Sequence, residues 1–426
     1  MEKVLTKNVG KENSQSIEVY EAGGGYDTLR KTLKDLTPAD VCEKVKASGL
    51  RGRGGAGFPT GLKWTFMPKE KDPKRPHYLL NNCDESEPGT FKDRVLIEHD
   101  PHLVIESTLA AGYAMQTDCC FVYIRGEYVH GAKVLQKAVD EAYAKGYAGK
   151  NIMGSGWNCD FVVHRGAGAY ICGEETALMT SLEGNRGYPR FKPPFPAVAG
   201  VWGMPTTINN TETLACTVPI LERGPEWFSS IGNDEKNSGP KLYALSGHVK
   251  RPGVYEDRMG YPLMEMINGY GGGMLHDDRP LKACIPGGIS VPVLTADECD
   301  VDLDFDSLSK IGSAIGSAGI MVMDSSTCMV KALRRTAHFF AHESCGQCTP
   351  CRQGCGWMEK LLIRIDEGRA ESKDIDLLLD VANNIEGNTI CALGDAAAWP
   401  VQSFLKKFRD EFEAKARSGR PAGVAP

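Results

Sequence analysis

The sequence predicts a mixed α/β chain made of three successive parts: a layered α/β domain, a small α+β domain of ubiquitin-like (β-grasp) type, and a C-terminal four-helix domain. Three observations predict it. Over residues 73–238, apolar strand-like runs alternate with helical ones, the pattern of a largely parallel sheet covered by helices. Over 239–324 the order becomes strand, turn, strand, short helix, strand. Over 325–416 only helical periodicity is left. A length of 426 residues suits about three domains of roughly 150 residues each.

Residues 1–72 form an N-terminal region around a glycine-rich loop. Thr37 opens a helix there as N-cap, with Pro38 at the first helical position, where its missing N–H costs nothing. In the α/β domain, Tyr78–Leu80, Cys120–Ile124 and Phe161–Val163 are predicted strands; Pro101–Met115, Gly131–Lys145 and Glu175–Leu182 are predicted helices. In the α+β domain, Lys241–Leu245 and Val254–Glu256 flank the turn Lys250–Gly253. A short helix near Leu263–Ile267, the glycine run Gly271–Gly273 and a strand at Leu281–Ile285 follow. The helical domain is expected at Met329–His342, Trp357–Glu367, Asp374–Ile385 and Ala396–Ala414. Residues 417–426 are expected to be a flexible tail.

Composition excludes several classes. Net charge is -6 with 24% charged residues, so no basic surface for nucleic acid or anionic lipid is indicated. The first residues, MEKVLTKNVGKENSQ, are polar and lack the apolar centre of a signal peptide. No apolar run approaches the roughly 18 residues of a membrane span, so no direct membrane insertion is expected. Fifteen cysteines, an odd number without a secretion signal, argue against a disulfide framework. Scattered ones such as Cys42, Cys119, Cys216 and Cys284 suit small buried apolar positions. No Ser–His–Asp arrangement stands out, and His338 and His342, four apart on a predicted helix, have no ligand-like partner.

One cysteine group is regular. ESCGQCTPCRQGCGW carries Cys345, Cys348, Cys351 and Cys355. The first three form C-x2-C-x2-C, a spacing that lets three thiolates converge on one face of an iron–sulfur cubane, and Cys355 completes the ferredoxin-like run. In that run the fourth cysteine serves a second cluster, and no second triple exists here. The fourth ligand is therefore sought far along the chain. Cys391, in a loop between predicted helices, is the first candidate and Cys328 its rival. Structural zinc more often uses paired C-x2-C units set far apart.

Four loops suit a nucleotide. Leu50–Phe58 contains Gly52-x-Gly54-x-x-Gly57, but a helix precedes it and Pro59 and Gly61 follow, so it is not the usual dinucleotide turn. Its bare backbone still favours a planar or phosphate ligand, with Arg51, Arg53 and Lys63 adding positive charge. The alternative is a surface loop. Asn81–Gly89 follows a strand with amides and carboxylates suited to ribose hydroxyls or a polar ring edge; a solvated acidic turn is the alternative. His164–Glu175 runs from strand to helix, where Glu174 and Glu175 either face a ligand or stabilise the helix start. Pro205–Thr213 precedes a helix, with phosphate binding or plain capping open to it.

RGRGGAGFPTGLKW, NNCDESEPGTFKDR, GAYICGEETALM, PPFPA, TTINNTET and ESCGQCTPCR occur in one order. Together they resemble the NADH-binding flavoprotein subunit of respiratory complex I, NADH:quinone oxidoreductase, over nearly the whole chain. The resemblance implies a Rossmann-like flavin/NADH domain, FMN, NAD(H) and one [4Fe–4S] cluster. It implies hydride transfer from NADH to FMN and single-electron transfer onward through the cluster to partner subunits. Carried over by motif, Gly52, Arg53, Gly54, Gly55, Lys63, Asn82, Asp84, Glu85, Gly173, Glu174, Ile208, Asn209, Asn210 and Thr213 form the FMN site. Gly55, Phe58, Lys63, Phe66, Glu87, Tyr170, Glu175 and Phe195 form the NADH site, the aromatics suiting ring stacking. Cys345, Cys348, Cys351 and Cys391 match the cluster ligands. Cys83 and Cys355 depart from the family, which often has alanine at the first position and usually a non-cysteine at the second.

The resemblance also implies partners: a thioredoxin-like [2Fe–2S] subunit in a heterodimer, and a larger iron–sulfur subunit of the peripheral arm. The expected location is the cytoplasmic, or matrix-equivalent, side of a membrane, reached through those partners. The same module serves as the diaphorase component of NAD-reducing hydrogenase and NAD-linked formate dehydrogenase, which is the alternative; a non-catalytic zinc scaffold is an alternative of another class. Dividing the cysteines three and one has a direct test. Cys355→Ser is expected to keep the cluster's visible absorption and paramagnetic signal, and Cys391→Ser to lose them. The reverse pattern would overturn the division.

Overall fold

The computed structural model describes residues 1–418. The expected tail from residue 419 on lies outside the described residues. The chain divides into two compact units. The first holds residues 1–86, 90–244 and 254–261; the second holds 87–89, 245–253 and 262 onward.

In the first unit the alternating pattern becomes a four-stranded parallel sheet. Its strands are β1 (Tyr78–Cys83), β2 (Cys119–Ile124), β3 (Asp160–Arg165) and β4 (Thr206–Asn210), in spatial order β3-β2-β1-β4. The chain steps outward from β1 through β2 to β3, then returns to the other side of β1 with β4. Such a reversal opens a crevice at the carboxyl ends of β1 and β4, where α/β sheets take ligands. The register sets Leu80 opposite Ile208 and Asn82 opposite Asn210. Two of the loops singled out by sequence thus leave the sheet side by side.

The helix Pro101–Ala114 packs on this sheet and is buried at every residue but Tyr113, which explains why its apolar pattern has no polar face. Its one carboxylate, Glu106, is fully engaged. It accepts from the backbone N–H of Tyr26 and Leu29, both at 2.9 Å, and from the Tyr20 hydroxyl at 2.6 Å. The N-terminal region is fastened to the sheet layer through this buried group. The helix Pro38–Ala47 begins as expected, with Thr37 and Asp40 in a reciprocal capping box.

In the second unit, Leu281–Ile285 pairs antiparallel with both Leu294–Thr295 and Gly319–Asp324. Four helices follow: Met329–Glu343, Thr349–Asp366, Ser372–Ile385 and Leu393–Arg417. The second begins eight residues before the expected Trp357. Pro350 in its first turn is pre-set for helix, and Gly354 and Gly356 are carried inside it. The cysteine group therefore does not lie wholly between helices: Cys351 and Cys355 are on one.

A second buried carboxylate fixes the start of the chain. Glu256 accepts from the backbone N–H of Val4 (2.9 Å), Leu5 (2.7 Å) and Thr6 (2.9 Å) and from the Thr6 hydroxyl. Glu256→Ala would strand these donors in a dry site. It is expected to cost about 3 kcal/mol in denaturant unfolding, with faster amide exchange at Val4–Thr6. Unchanged exchange there would show that the segment is held by other contacts.

Candidate functional site

The glycine loop is closed at its neck, then opened by its glycines. Gly52 N–H donates to Phe58 O (2.9 Å) and Thr60 N–H to Leu50 O (2.8 Å). At the tip, Gly54 packs so closely on Asn210 that a Cβ there would lie 2.9 Å from the Asn210 Cβ. Gly55 has φ +135° and nothing within 4 Å of where a Cβ would stand. Here a flat ligand can approach the backbone itself.

The loop is tied to the β4 end. Arg53 N–H donates to the Thr213 hydroxyl at 2.7 Å, and Asn210 Oδ1 accepts from Thr213 N–H at 3.3 Å. Across the crevice, Asn82 Nδ2 donates to Gly173 O at 2.8 Å and Asn82 Oδ1 accepts from Asp84 N–H at 3.1 Å. Lys63 Nζ reaches Ile208 O at 2.8 Å and Glu175 at 3.0 Å. The structure thus brings together Arg53, Gly54, Lys63, Glu175, Ile208, Asn210 and Thr213, with Asn82 and Gly173 joined to each other. Phe58 and Phe66 stand exposed, with ring centroids 6.1 Å apart, and Phe195 is also exposed.

Several of the chosen residues do something other than face a ligand. Glu174 caps the helix Glu175–Leu182, accepting from the N–H of Thr176 and Ala177. Of the two adjacent glutamates, capping falls to Glu174, while Glu175 reaches Lys63. Glu85 is buried and accepts from the N–H of Lys92, Asp93 and Arg94 and from the Tyr128 hydroxyl. Burial pushes it up to about 7, and the charge of Asp93 adds to this. Arg53 is not a solvent-facing cation. Its guanidinium is buried and donates to Ser238 O (2.6 Å) and Pro240 O (3.2 Å).

Two residues were missed. Trp64 Nε1 donates to Asn209 Oδ1 at 2.9 Å, fixing that amide. Lys192, just before the PPFPA motif, forms an ion pair with Glu175. Burial alone would raise Glu175, but Lys63 and Lys192 outweigh it and hold the carboxyl below its ordinary range. A lysine beside a proline-rich motif carried no signal of its own. Glu87 belongs to the second unit, where both its oxygens accept from the Ser290 hydroxyl and one also from Ser290 N–H at 2.8 Å.

The cysteines lie in the second unit as well. Cys345 and Cys348 precede the helix Thr349–Asp366; Cys351 and Cys355 are one turn apart on it, with their sulfurs 3.9 Å from each other. The Ser344 hydroxyl lies 3.1 Å from Cys351 Sγ. The contact with Cys355, more than Ser344, pulls the Cys351 thiol down to about 7 and drives the buried Cys355 thiol up. Burial raises the Cys345 thiol, and the charges of Cys351 and Cys348 raise it further. Cys391 sits between the third and fourth helices and Cys328 caps the first. Among the described residues no three metal-ligating side chains converge on one point; Cys351 is turned instead toward Ser344 and Cys355.

The residues fit the groups that the motifs imply. The Gly54–Gly55 backbone is bare on its open side, and Arg53 Nε is buried without a hydrogen-bond partner. Both suit an anionic, flat cofactor. Cys345, Cys348 and Cys351, three residues apart where the helix Thr349–Asp366 begins, are of the donor type an iron–sulfur cluster takes.

Comparison with known proteins agrees with this geometry. Residues 45–219 match the Nuo51 FMN-binding domain, 331–415 the NADH-ubiquinone oxidoreductase-F iron-sulfur binding region, and 242–293 the SLBB domain. The chain is 53% identical over 413 residues to the F 2 subunit of NADH-quinone oxidoreductase from Rhizobium meliloti (strain 1021), covering 97% of each chain. It is 52% identical over 409 residues to the F subunit of NADH-quinone oxidoreductase from Rickettsia bellii (strain OSU 85-389), covering 96% of this chain and 97% of that one. Among solved structures, it matches a chain of an NAD+-reducing [NiFe]-hydrogenase in the air-oxidized state with TM-score 0.83 and 33% identity. That match covers all of this chain and 68% of the other. With relatives this similar along almost their full length, the chain belongs to the family of NADH-quinone oxidoreductase F subunits.

Proposed function

We propose that the chain oxidises NADH by hydride transfer to FMN and passes electrons singly through a [4Fe–4S] cluster to partner subunits of an NADH:quinone oxidoreductase. The observation that carries this is the crevice at the carboxyl ends of β1 and β4, edged by the Gly54–Gly55 backbone and walled by Asn82, Asn210 and Thr213. FMN, when bound, supplies a hydride acceptor and a one-electron donor in one molecule.

The chain's own residues bind, orient and shield. The bare glycine backbone admits a ring face to face, and hydride transfer needs such contact rather than a protein base. Asn82, Asp84, Glu85, Gly173, Glu174, Ile208, Asn209, Asn210 and Thr213, with Gly52, Arg53, Gly54, Gly55 and Lys63, are assigned to the flavin nucleotide. Glu85 and Glu174 serve it through the loops they cap. Phe58, Phe66, Tyr170 and Phe195 are assigned to the dinucleotide, joined by Gly55, Lys63, Glu87 and Glu175, whose carboxylate the two lysines keep ionised. Cys345, Cys348, Cys351 and Cys391 are assigned to the cluster.

The family is one of subunits of a larger complex. For this chain we assign as partners a thioredoxin-like [2Fe–2S] subunit and a larger iron–sulfur subunit, which hold it at the cytoplasmic, or matrix-equivalent, face of a membrane. In keeping with that, no helix among the described residues is long and apolar enough to cross one. The hydrogenase likeness supports a second assignment, the diaphorase component of an NAD-reducing hydrogenase. Proteins that co-purify from the native host separate the two.

A visible spectrum tests the chemistry: flavin bands and broad iron–sulfur absorption should bleach on adding NADH, whereas a colourless, zinc-loaded protein would reject it. Gly54→Ala, whose Cβ would lie 2.9 Å from that of Asn210, is expected to push Asn210 aside and weaken FMN affinity roughly tenfold; parental affinity would remove Gly54 from the flavin pocket. Glu87→Gln is expected to alter NADH or NAD+ affinity more than flavin content; flavin loss with unchanged nucleotide binding would remove Glu87 from the dinucleotide site.

A further inference from the structure

Behind Asn210 and Thr213 lies a set of charges with no access to water. Arg53, Lys92, Asp93, Glu212 and Lys241 are each at most 2% exposed. Lys92 Nζ reaches Glu212 at 2.7 Å, Asp93 at 2.9 Å and Asn210 Oδ1 at 3.5 Å. Lys241 Nζ reaches the same Glu212 oxygen at 2.7 Å, and Leu242 N–H donates to the other at 2.8 Å. Asn210 Nδ2 in turn donates to Asp93 at 2.7 Å. Arg53 is the third cation. Its guanidinium has carbonyl partners but no carboxylate, and its Nε–H has no partner at all.

Three cations therefore face two carboxylates. Glu85, close by, accepts from the N–H of Lys92, Asp93 and Arg94 and from the Tyr128 hydroxyl, and makes no ion pair with any of the three cations. The two lysines on Glu212 fare differently, Lys92 shifting up and Lys241 down to about 8. The difference follows from their neighbours. Asp93 also supports Lys92, whereas Lys241 is lowered by burial and by the charges of Lys92 and Arg53. Crowding of this sort is what an excess of buried positive charge produces. Because burying a charge without a counter-charge is costly, such an excess calls for an anion nearby. Asn210, which touches Lys92 and Asp93, also packs against Gly54, where a Cβ would lie 2.9 Å from its own.

We propose that the unmatched cation of this cluster is the counter-charge for the negative charge of the bound flavin nucleotide, with Lys92 and Arg53 as positioning residues that act through Asn210 and the glycine loop. This rests on the assignment of Gly54, Asn210 and Thr213 to the flavin pocket. The nucleotide carries negative charge in two places, its phosphate and its reduced ring, and the two are separable by experiment.

The test uses the native complex, stripped of flavin and titrated back with FMN or with riboflavin, followed by a redox titration of the bound flavin. Lys92→Met removes one positive charge. If the phosphate is the anion, FMN affinity falls about tenfold, or about 1.4 kcal/mol, while riboflavin affinity holds. If the reduced ring is the anion, oxidised FMN and riboflavin bind as before and the midpoint potential falls by about 30 mV, the two-electron equivalent of a tenfold change. Asp93→Asn removes a negative charge together with one of the two oxygens that accept from Lys92, Glu212 N–H and Asn210, and is expected to move the same quantity the opposite way.

Unchanged affinities and potential in both single variants would overturn the inference. If Lys92→Met fails to fold, Asp93→Asn decides alone, and weaker or unchanged binding with an unchanged or lower potential overturns it. Asn210→Ala with parental FMN affinity overturns the pocket assignment and the inference with it. A loss at Asn210→Ala beside silent charge variants overturns the inference alone.

Discussion

The mouth of the parallel sheet depends on Glu212 staying ionised and dry. Its carboxylate draws Lys92, Lys241 and the Leu242 N–H to one point, and burial would raise it were it not for those cations, which hold it down at about 2. Buried ion pairs of this kind add little net stability, because the charges lose their hydration. What they add is definition. A carboxylate that must be met by two ammonium groups fixes where three separate segments lie, and so fixes the loop that carries Asn210 and Thr213.

From that point outward the site is built by short-range consequences. Asn210 is held by Lys92, Asp93 and Thr213; Thr213 takes the N–H of Arg53; and Arg53 leads into the Gly54–Gly55 tip. The parallel register places Asn82 beside Asn210, so the two strand ends that flank the topological reversal present amides at the same level. The same arrangement recurs at Glu175, where two lysines secure a carboxylate at a helix start.

Much of this is legible in the sequence because it is local. Strand and helix runs such as Glu175–Leu182 and Leu281–Ile285 coincide with their expected bounds, and Thr37 caps the helix that its motif announces. The glycine loop and the asparagine-rich strand end are recognisable as motifs. What could not be read is long-range. Arg53 looks like a free cation until Ser238 and Pro240, some 185 residues on, are seen to take its donors. Nothing local tells Glu174 from Glu175, since either carboxylate can reach a helix N-terminus. Lys192 and Trp64 join the site only through distant partners. The early start of the helix at Thr349 was hidden by two glycines, which lower helix propensity by roughly 1 kcal/mol each but are carried once the helix has a packed face.

The clamp of Glu256 on Val4, Leu5 and Thr6 spans about 250 residues of chain. During synthesis, at roughly 5–20 residues per second, the partner of those first residues does not yet exist for some tens of seconds after they leave the ribosome. This segment is thus secured only once the chain has been made as far as Glu256, and the first unit is completed by closing a ring rather than by growing from one end. In a cell, that interval leaves the backbone N–H groups of Val4, Leu5 and Thr6 open to other acceptors.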